Sequence, residues 1–264
     1  MAYKGIDVSK HNGIIDWEKV KKAEINFAMI RAGYGANNID ERFKYNISEC
    51  NRLGIPCGVY WFSYALNAAM AKKEAQYCLE AVKPYKLEYP IAFDFEYGSV
   101  DYAKKQGINV AKKLATDIMQ AFCSEIEKAG YYALNYSNID YLNNYFEPDV
   151  AKRYGLWLAQ WNNNLIPSRD CQIWQHSETG KVNGIAGNVD LNRGYIDFPK
   201  IIKERGLNGF KKVEQPKKDE KPYYADAQEW VMKEGISDGT KPLEAASRAE
   251  IWTMLKRYHD KFGK

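Results

Sequence analysis

Histidine is scarce in this chain: His11, His176 and His259 are the only three among 264 residues. So few imidazoles argue against a histidine-built metal centre, and no nucleophile turn accompanies them to suggest a Ser-His-Asp triad. The five cysteines, Cys50, Cys57, Cys78, Cys123 and Cys171, stand singly in apolar surroundings with no CxxC pair. That spacing argues against a zinc site and reads as reduced core thiols. Neither a metal nor an organic cofactor is expected. A large excess of one charge is also missing, since 38 basic and 34 acidic residues leave a formal net charge of +4. Such a balance argues against a nucleic-acid partner and leaves room for an anionic polymer. Apolar runs are no longer than a strand, so no membrane span is expected. The opening residues MAYKGIDVSKHNG contain no apolar stretch that could act as a signal peptide. The expectation is a protein made in the cytoplasm that reaches its target after release by another system.

What is present is a large apolar and aromatic complement: 45% hydrophobic residues, with 20 Tyr and 7 Trp. This is enough for one large core and a small extra module. The stretch around which the chain is organised is YPIAFDFEYG, Tyr89 to Gly98. Bounded by Pro90 and Gly98 and carrying Ile91 and Phe93, it reads as a short buried strand from Pro90 to Glu96. Asp94 and Glu96 are two residues apart, so on a strand both carboxylates face the same side. Burying two acids on an apolar strand is costly unless they are satisfied or used, which makes them a candidate catalytic pair.

Strand and helix patterns alternate on either side of it. KGIDVS, Lys4 to Ser9, is a strand, and a helix follows from Asp16, its N-cap, to Ala23. Then come a strand at Asn26–Gly33, a helix from about Glu41 to Leu53, a strand at Cys57–Ser63 and a helix from about Asn67 to Val82. After the central strand, Asn109 to Ala129 has helical spacing and leads to a strand at Ala133–Ser137. From Leu156 the strand patterns LWLAQW, CQIWQHS and NVDLN are separated by gaps too short for ordinary crossover helices. Alternating units of this kind suggest a parallel β/α barrel or a doubly wound sheet. Asp7, Asp94 and Asp190 favour the barrel: each is expected at the C-terminal end of a strand, in the first, fourth and last units. Barrel closure would gather them at one mouth, and a doubly wound sheet would spread them along an edge.

The chain changes character at GLNGFKKVEQPKKDEKP, where charge, Gly and Pro replace apolar periodicity. A barrel over residues 1–206, a linker over 207–222 and a module over 223–264 follow. The module holds two helical patterns, Ala225–Glu234 and Arg248–Phe262, and is marginal for independent stability at roughly 40 residues. It is expected to lean on a partner or to join with another copy of itself in a homo-oligomer.

Several segments resemble glycoside hydrolase family 25, the Chalaropsis-type lysozymes. They are GIDVSKHNG at Gly5, DWEKVKKAEINFAMIRAGYG at Asp16, GVYWFSYA at Gly58, YPIAFDFE at Tyr89, LNYSN at Leu134, LWLAQW at Leu156 and IWQHSETGKVNGIAGNVDLN at Ile173. The resemblance covers roughly the first 200 residues and implies an irregular TIM-type β/α barrel with helices missing in its second half. It implies cleavage of the β-1,4 bond between N-acetylmuramic acid and N-acetylglucosamine in peptidoglycan. Glu96 matches the general acid of the family, and Asp94, Asp7 and Asp190 match the other cleft acids. The substrate's own acetamido carbonyl is a candidate nucleophile, with Asp94 orienting it. Tyr34, Tyr60, Phe62, Tyr64, Tyr136 and Trp161 match positions of a sugar platform, and Gln175 a polar contact.

The tail segment from Tyr223 resembles a single shortened S-layer-homology repeat, through GISDG and the SRAE helix start. Such repeats bind secondary cell-wall polymers. A muramidase joined to such a module resembles a phage endolysin of a Gram-positive host, with a bacterial autolysin as the alternative. A chitinase with the longer DxxDxDxE ladder is disfavoured, because Ala92 and Tyr89 stand where that ladder needs acids. A wall-binding barrel without catalysis is disfavoured by the presence of all four acids.

Overall fold

The computed structural model describes residues 2–162, 164–165, 171–212 and 222–263. Two compact units divide the chain at residue 213. The centre of the expected linker, 213–221, lies outside the described residues. In the first unit, β1 (Tyr3–Val8) runs through a short 3-10 turn to α1 (Trp17–Lys22), β2 (Phe27–Tyr34) and a two-residue strand β3 (Asn38–Ile39). Next come α2 (Phe43–Leu53), β4 (Cys57–Phe62), α3 (Ala68–Val82) and β5 (Ile91–Asp94). They are followed by α4 (Tyr97–Lys105), α5 (Lys112–Lys128), β6 (Ala133–Asn138), α6 (Ile139–Asn144) and α7 (Pro148–Arg153). The unit is completed by β7 (Gly155–Ala159), β8 (Ile173–Gly180), β9 (Val189–Gly194) and α8 (Phe198–Arg205).

Eight of these strands close on themselves in the order β1-β2-β4-β5-β6-β7-β8-β9, with β3 as a short appendage to β2. Six neighbouring pairs are parallel, from β1–β2 round to β7–β8. β9 is antiparallel to both of its neighbours. This corrects one expectation from the sequence. Asp190 sits at the N-terminal end of β9, not at a C-terminal end, and reaches the same mouth because the strand runs backwards. The eight residues between β8 and β9 are too few for a crossover helix, so the two strands form a hairpin.

Side-chain alternation divides the core into two layers. Phe27, Met29, Ala92, Leu134, Trp157 and Ile173 pack together inside the barrel, with Tyr89, Phe198 and Ile202 of the same cluster. Ile6, Ile30, Val59, Ile91 and Phe93 belong to a second, larger cluster with the buried faces of the helices. The barrel axis has little spare room: a Cβ at Gly5 would overlap the Phe27 ring. Helix starts follow the sequence signals, with Asp16 and Asn67 accepting from the backbone N–H groups of Lys19 and Met70.

Helices α4, α6, α7 and α8 are additional to the sequence expectation, as short helices give weak periodicity. The central strand also ends earlier than expected, at Asp94, and Glu96 is the residue that caps α4. The barrel unit continues past the expected boundary at 206. Asn208, buried, donates from Nδ2 to the carbonyls of Leu87 and Tyr89, each at 3.0 Å, and accepts from Tyr132 N at 2.9 Å. Phe210 lies under Lys86 and Lys203, with their Nζ atoms 5.6 and 5.8 Å from the ring centroid.

The second unit contains α9 (Ala225–Lys233) and α10 (Arg248–Phe262), the latter opened by a Ser247/Glu250 capping box. Trp230 stacks on Phe262 at 5.9 Å, and Arg257 and Lys261 donate to the carbonyls of Ile236 and Glu234. Ile236 is its one buried hydrophobic among the described residues, and Trp252 and Leu255 are more than half exposed. No described helix is long and apolar enough to cross a membrane.

Candidate active site

The mouth formed by the C-terminal ends of the parallel strands and the start of β9 collects the four acids. Asp7 lies one residue from the end of β1, and Asp94 ends β5. Beyond Asp94 the backbone stays extended, with Glu96 at φ −139° and ψ −166°. Phe93 and Phe95 therefore both turn outward, stacked at 6.0 Å, and Asp94 and Glu96 share the inward side. The i, i+2 logic holds although the strand does not extend that far. Glu96 is then fixed as the residue before α4, its N–H bonded to Ser99 Oγ at 3.2 Å and its carbonyl accepting from Ser99 and Val100.

Asp7 has the most complete set of partners. Its Oδ2 accepts from Asn192 Nδ2 at 2.7 Å and from Gln175 Nε2 at 2.9 Å. Asn192 is held in turn by Trp157 Nε1 at 2.8 Å. Gln175 Oε1 accepts from Tyr136 OH and Trp161 Nε1, each at 3.1 Å. Gln175 is therefore 3% exposed and committed to internal bonds on both ends. It orients Asp7 and is not a free polar contact. Asn192 and Trp157 thus belong to the candidate site through these bonds, and the sequence reading did not select them. Alternation could have found Asn192, which stands two after Asp190 on the same strand face.

All four carboxyls are harder to ionise than in water. Burial pushes Asp7 up, partly offset by hydrogen bonds from Asn192, Gln175 and Asp190. Asp94 is raised well above the usual range by burial and by the charges of Glu96 and Asp7, and Arg31 opposes the rise. Arg31 gives up much of that influence to Asp40, which it contacts from Nε and Nη2, both at 2.7 Å. Burial and the neighbouring Asp190 raise Glu96. Asp190 is pushed up to about 8 by burial and by Asp7, to which it is hydrogen-bonded. Asp94 Oδ1 is buried without a hydrogen-bond partner. Among the four, Glu96 and Asp190 are half-buried, and Asp7 and Asp94 lie deeper.

The aromatic candidates separate into two groups. Tyr60 and Tyr136 lie against Trp157 inside the barrel, at 5.9 and 4.8 Å, and burial together with the acids raises both phenols. Tyr34, Phe62 and Tyr64 line the rim: Tyr64 meets Phe62 at 5.1 Å, Tyr34 at 6.4 Å and Tyr102 at 5.0 Å. Tyr64 stands two residues beyond the end of β4. Trp161, 53% exposed, is the most open of the group. Several acids of unequal exposure beside aromatic faces can protonate a leaving oxygen and hold a sugar ring.

The model for glycosyl hydrolases family 25 matches residues 6–185. The chain belongs to this family. Three of the four acids fall within the matched segment, and the fold brings Asp190 to join them from just beyond it. Among its relatives in the family, lysozyme M1 of Streptomyces globisporus is 29% identical over 207 residues, covering 72% of this chain and 66% of the relative. The modular autolysin LytC of Streptococcus pneumoniae, solved in complex with a synthetic peptidoglycan ligand, is 34% identical with a TM-score of 0.65. That match covers 74% of this chain and 47% of LytC. A family 25 glycosyl hydrolase from Bacillus anthracis is 26% identical with a TM-score of 0.64, covering 74% of this chain and 89% of that one. The chain thus spans just under two thirds of the Streptomyces protein and about half of LytC.

Proposed function

We propose that the protein is a muramidase that cleaves the β-1,4 bond between N-acetylmuramic acid and N-acetylglucosamine in peptidoglycan. The observation that carries this reading is the convergence of Asp7, Asp94, Glu96 and Asp190 on one barrel mouth, each with a raised pKa. Membership of family 25 and the peptidoglycan ligand of LytC support it.

Glu96 is the general acid in this reading. It is the more accessible member of the central pair, and burial keeps its proton available at the leaving oxygen. Asp94 lies deeper, with a free acceptor atom, and is placed to orient the acetamido group of the sugar so that its carbonyl attacks the anomeric carbon. Asp7 and Asp190 share a proton and set the field around the other two. Tyr34, Phe62, Tyr64 and Trp161 supply sugar faces at the rim, and Tyr60 and Tyr136 pack the floor. Release of reducing sugar from purified Gram-positive walls, with chitin as control, tests the activity. Cleavage of chitin at a comparable rate, or of neither polymer, would overturn it.

In its biological setting the chain is read as a lytic enzyme that acts on the wall of a Gram-positive cell after release from the cytoplasm, as a phage endolysin does. A bacterial autolysin is the second reading, favoured by the autolytic lysozyme of Clostridium acetobutylicum, 25% identical over 191 residues. The module at 223–264 is proposed to hold the enzyme at the wall through a secondary polymer and to join with other copies. Its exposed Ile251, Trp252 and Leu255 support such contacts.

A further inference from the structure

On the β8–β9 side, the barrel wall turns its outer side chains toward a groove. Gln175, Asp190 and Asn192 face the acid cluster, so their neighbours His176, Leu191 and Arg193 face outward. Two cavities share those three outward residues. One, of about 510 Å³, begins at Trp161 and passes Ser177 and Glu178. The other, of about 470 Å³, continues past Ile25 and Val182 to Lys4 and Lys181. The two adjoin at these three residues and so form a groove along the outside of the wall, from Trp161 toward Lys4.

The lining changes along this path. Glu178 is the one acid, and it stands at the end nearest the mouth. Further along, Arg193, Lys181 and Lys4 present three cations, none with an acidic partner within ion-pair distance among the described residues. Between them lie the apolar Leu191, Val182 and Ile25. The groove is also tied to the reaction centre, because Trp161 at its start is bonded to Gln175, which is bonded to Asp7.

We propose that this groove takes the acidic peptide arm that peptidoglycan carries on its muramic acid residues, an inference that rests on the muramidase reading above. A sugar ring held at the mouth would deliver its covalently attached arm directly to the groove, at high effective concentration. A short peptide of small apolar residues and carboxylates matches cations interleaved with apolar side chains. A poly(glycerol phosphate) would match the cations and leave the apolar positions unused.

The test compares the full-length protein on two substrates: glycan chains that carry their peptides, and the same chains stripped by an amidase. The wild type is expected to prefer the peptide-bearing chains by about tenfold in kcat/KM, chiefly through KM. In the double variant Arg193→Gln, Lys181→Gln that preference falls toward unity. Equal rates on both substrates in the wild type, or an unchanged preference in the double variant, would overturn the inference. So would competition by poly(glycerol phosphate) as strong as that by the free peptide arm. Cleavage of neither substrate would overturn the muramidase reading instead. The groove is then decided separately by the affinity of the Glu96→Gln variant for the two chains, where equal binding refutes it.

Discussion

Asp7 and Asp190 stand directly opposite each other across the antiparallel pair of β1 and β9. Two carboxyls so placed cannot both ionise cheaply, and the surroundings decide which holds the proton. Asp7 already receives two amide hydrogen bonds, whereas burial and the Asp7 charge raise Asp190 to about 8. Near neutral pH, Asp190 is the donor and Asp7 the acceptor. Asp190→Asn therefore replaces a protonated acid with a neutral donor of the same shape, and activity on cell walls should stay within about tenfold of wild type. Asp190→Ala removes the donor altogether and should cost clearly more. An asparagine variant as impaired as the alanine variant would contradict the shared proton.

Glu96→Gln should keep the fold and lose about a hundredfold to ten-thousandfold in kcat, because an amide has no proton to give to the leaving oxygen. Its backbone bonds to Ser99 and Val100 do not involve the carboxyl, so α4 should start as before. Circular dichroism and thermal melting check the fold, and reducing-sugar release checks the rate. Activity within a few-fold of wild type would remove Glu96 from the role of acid.

Much of this site was legible in the sequence because strand alternation carries information across two residues. Asp94 and Glu96 share a side for the reason their spacing suggests, although regular pairing stops at Asp94. Asp190 was placed at the right mouth from the wrong strand end, since pairing direction is set by the β8–β9 connection and not by the strand's own residues. The role of Gln175 was not legible. A buried glutamine that bridges Asp7, Tyr136 and Trp161 depends on three strands and the segment after β7 meeting, and no local pattern encodes that. The boundary at 206 failed for a similar reason. GLNGFKK reads as linker by composition, yet Asn208 and Phe210 find partners from distant segments.

Asn208→Ala tests that boundary. The change leaves the carbonyls of Leu87 and Tyr89 and the N–H of Tyr132 without their side-chain partner near the closed end of the barrel. A loss of about 2–4 kcal/mol in unfolding free energy is expected from groups stranded in this way. A chain ending at 206 should be destabilised at least as much, and one ending at 213 should melt close to the full-length barrel. Equal melting of the 206 and 213 chains would show that the segment contributes nothing.

Glu74 on α3 is 3% exposed, accepts from Tyr64 N at 3.0 Å, and has its second oxygen buried without a partner. Burial raises it from 4.5 to about 7, with hydrogen bonds from Ser63 and Tyr64 partly offsetting the rise. The sign follows from proton counting. Between pH 4.5 and 7 the folded state holds this proton more tightly than the unfolded chain does, so stability falls as pH rises through that window. The contribution is complete below pH 4.5 and is lost above pH 7, a difference of about 3 kcal/mol at most. Glu74→Gln keeps an acceptor for Tyr64 N and has no charge to bury. It should therefore be more stable than wild type at pH 8 and nearly equal to it at pH 4, as measured by denaturant unfolding at both values. A variant less stable at pH 8 would mean that the ionised carboxylate, with its hold on Tyr64 at the rim, is the form the fold prefers.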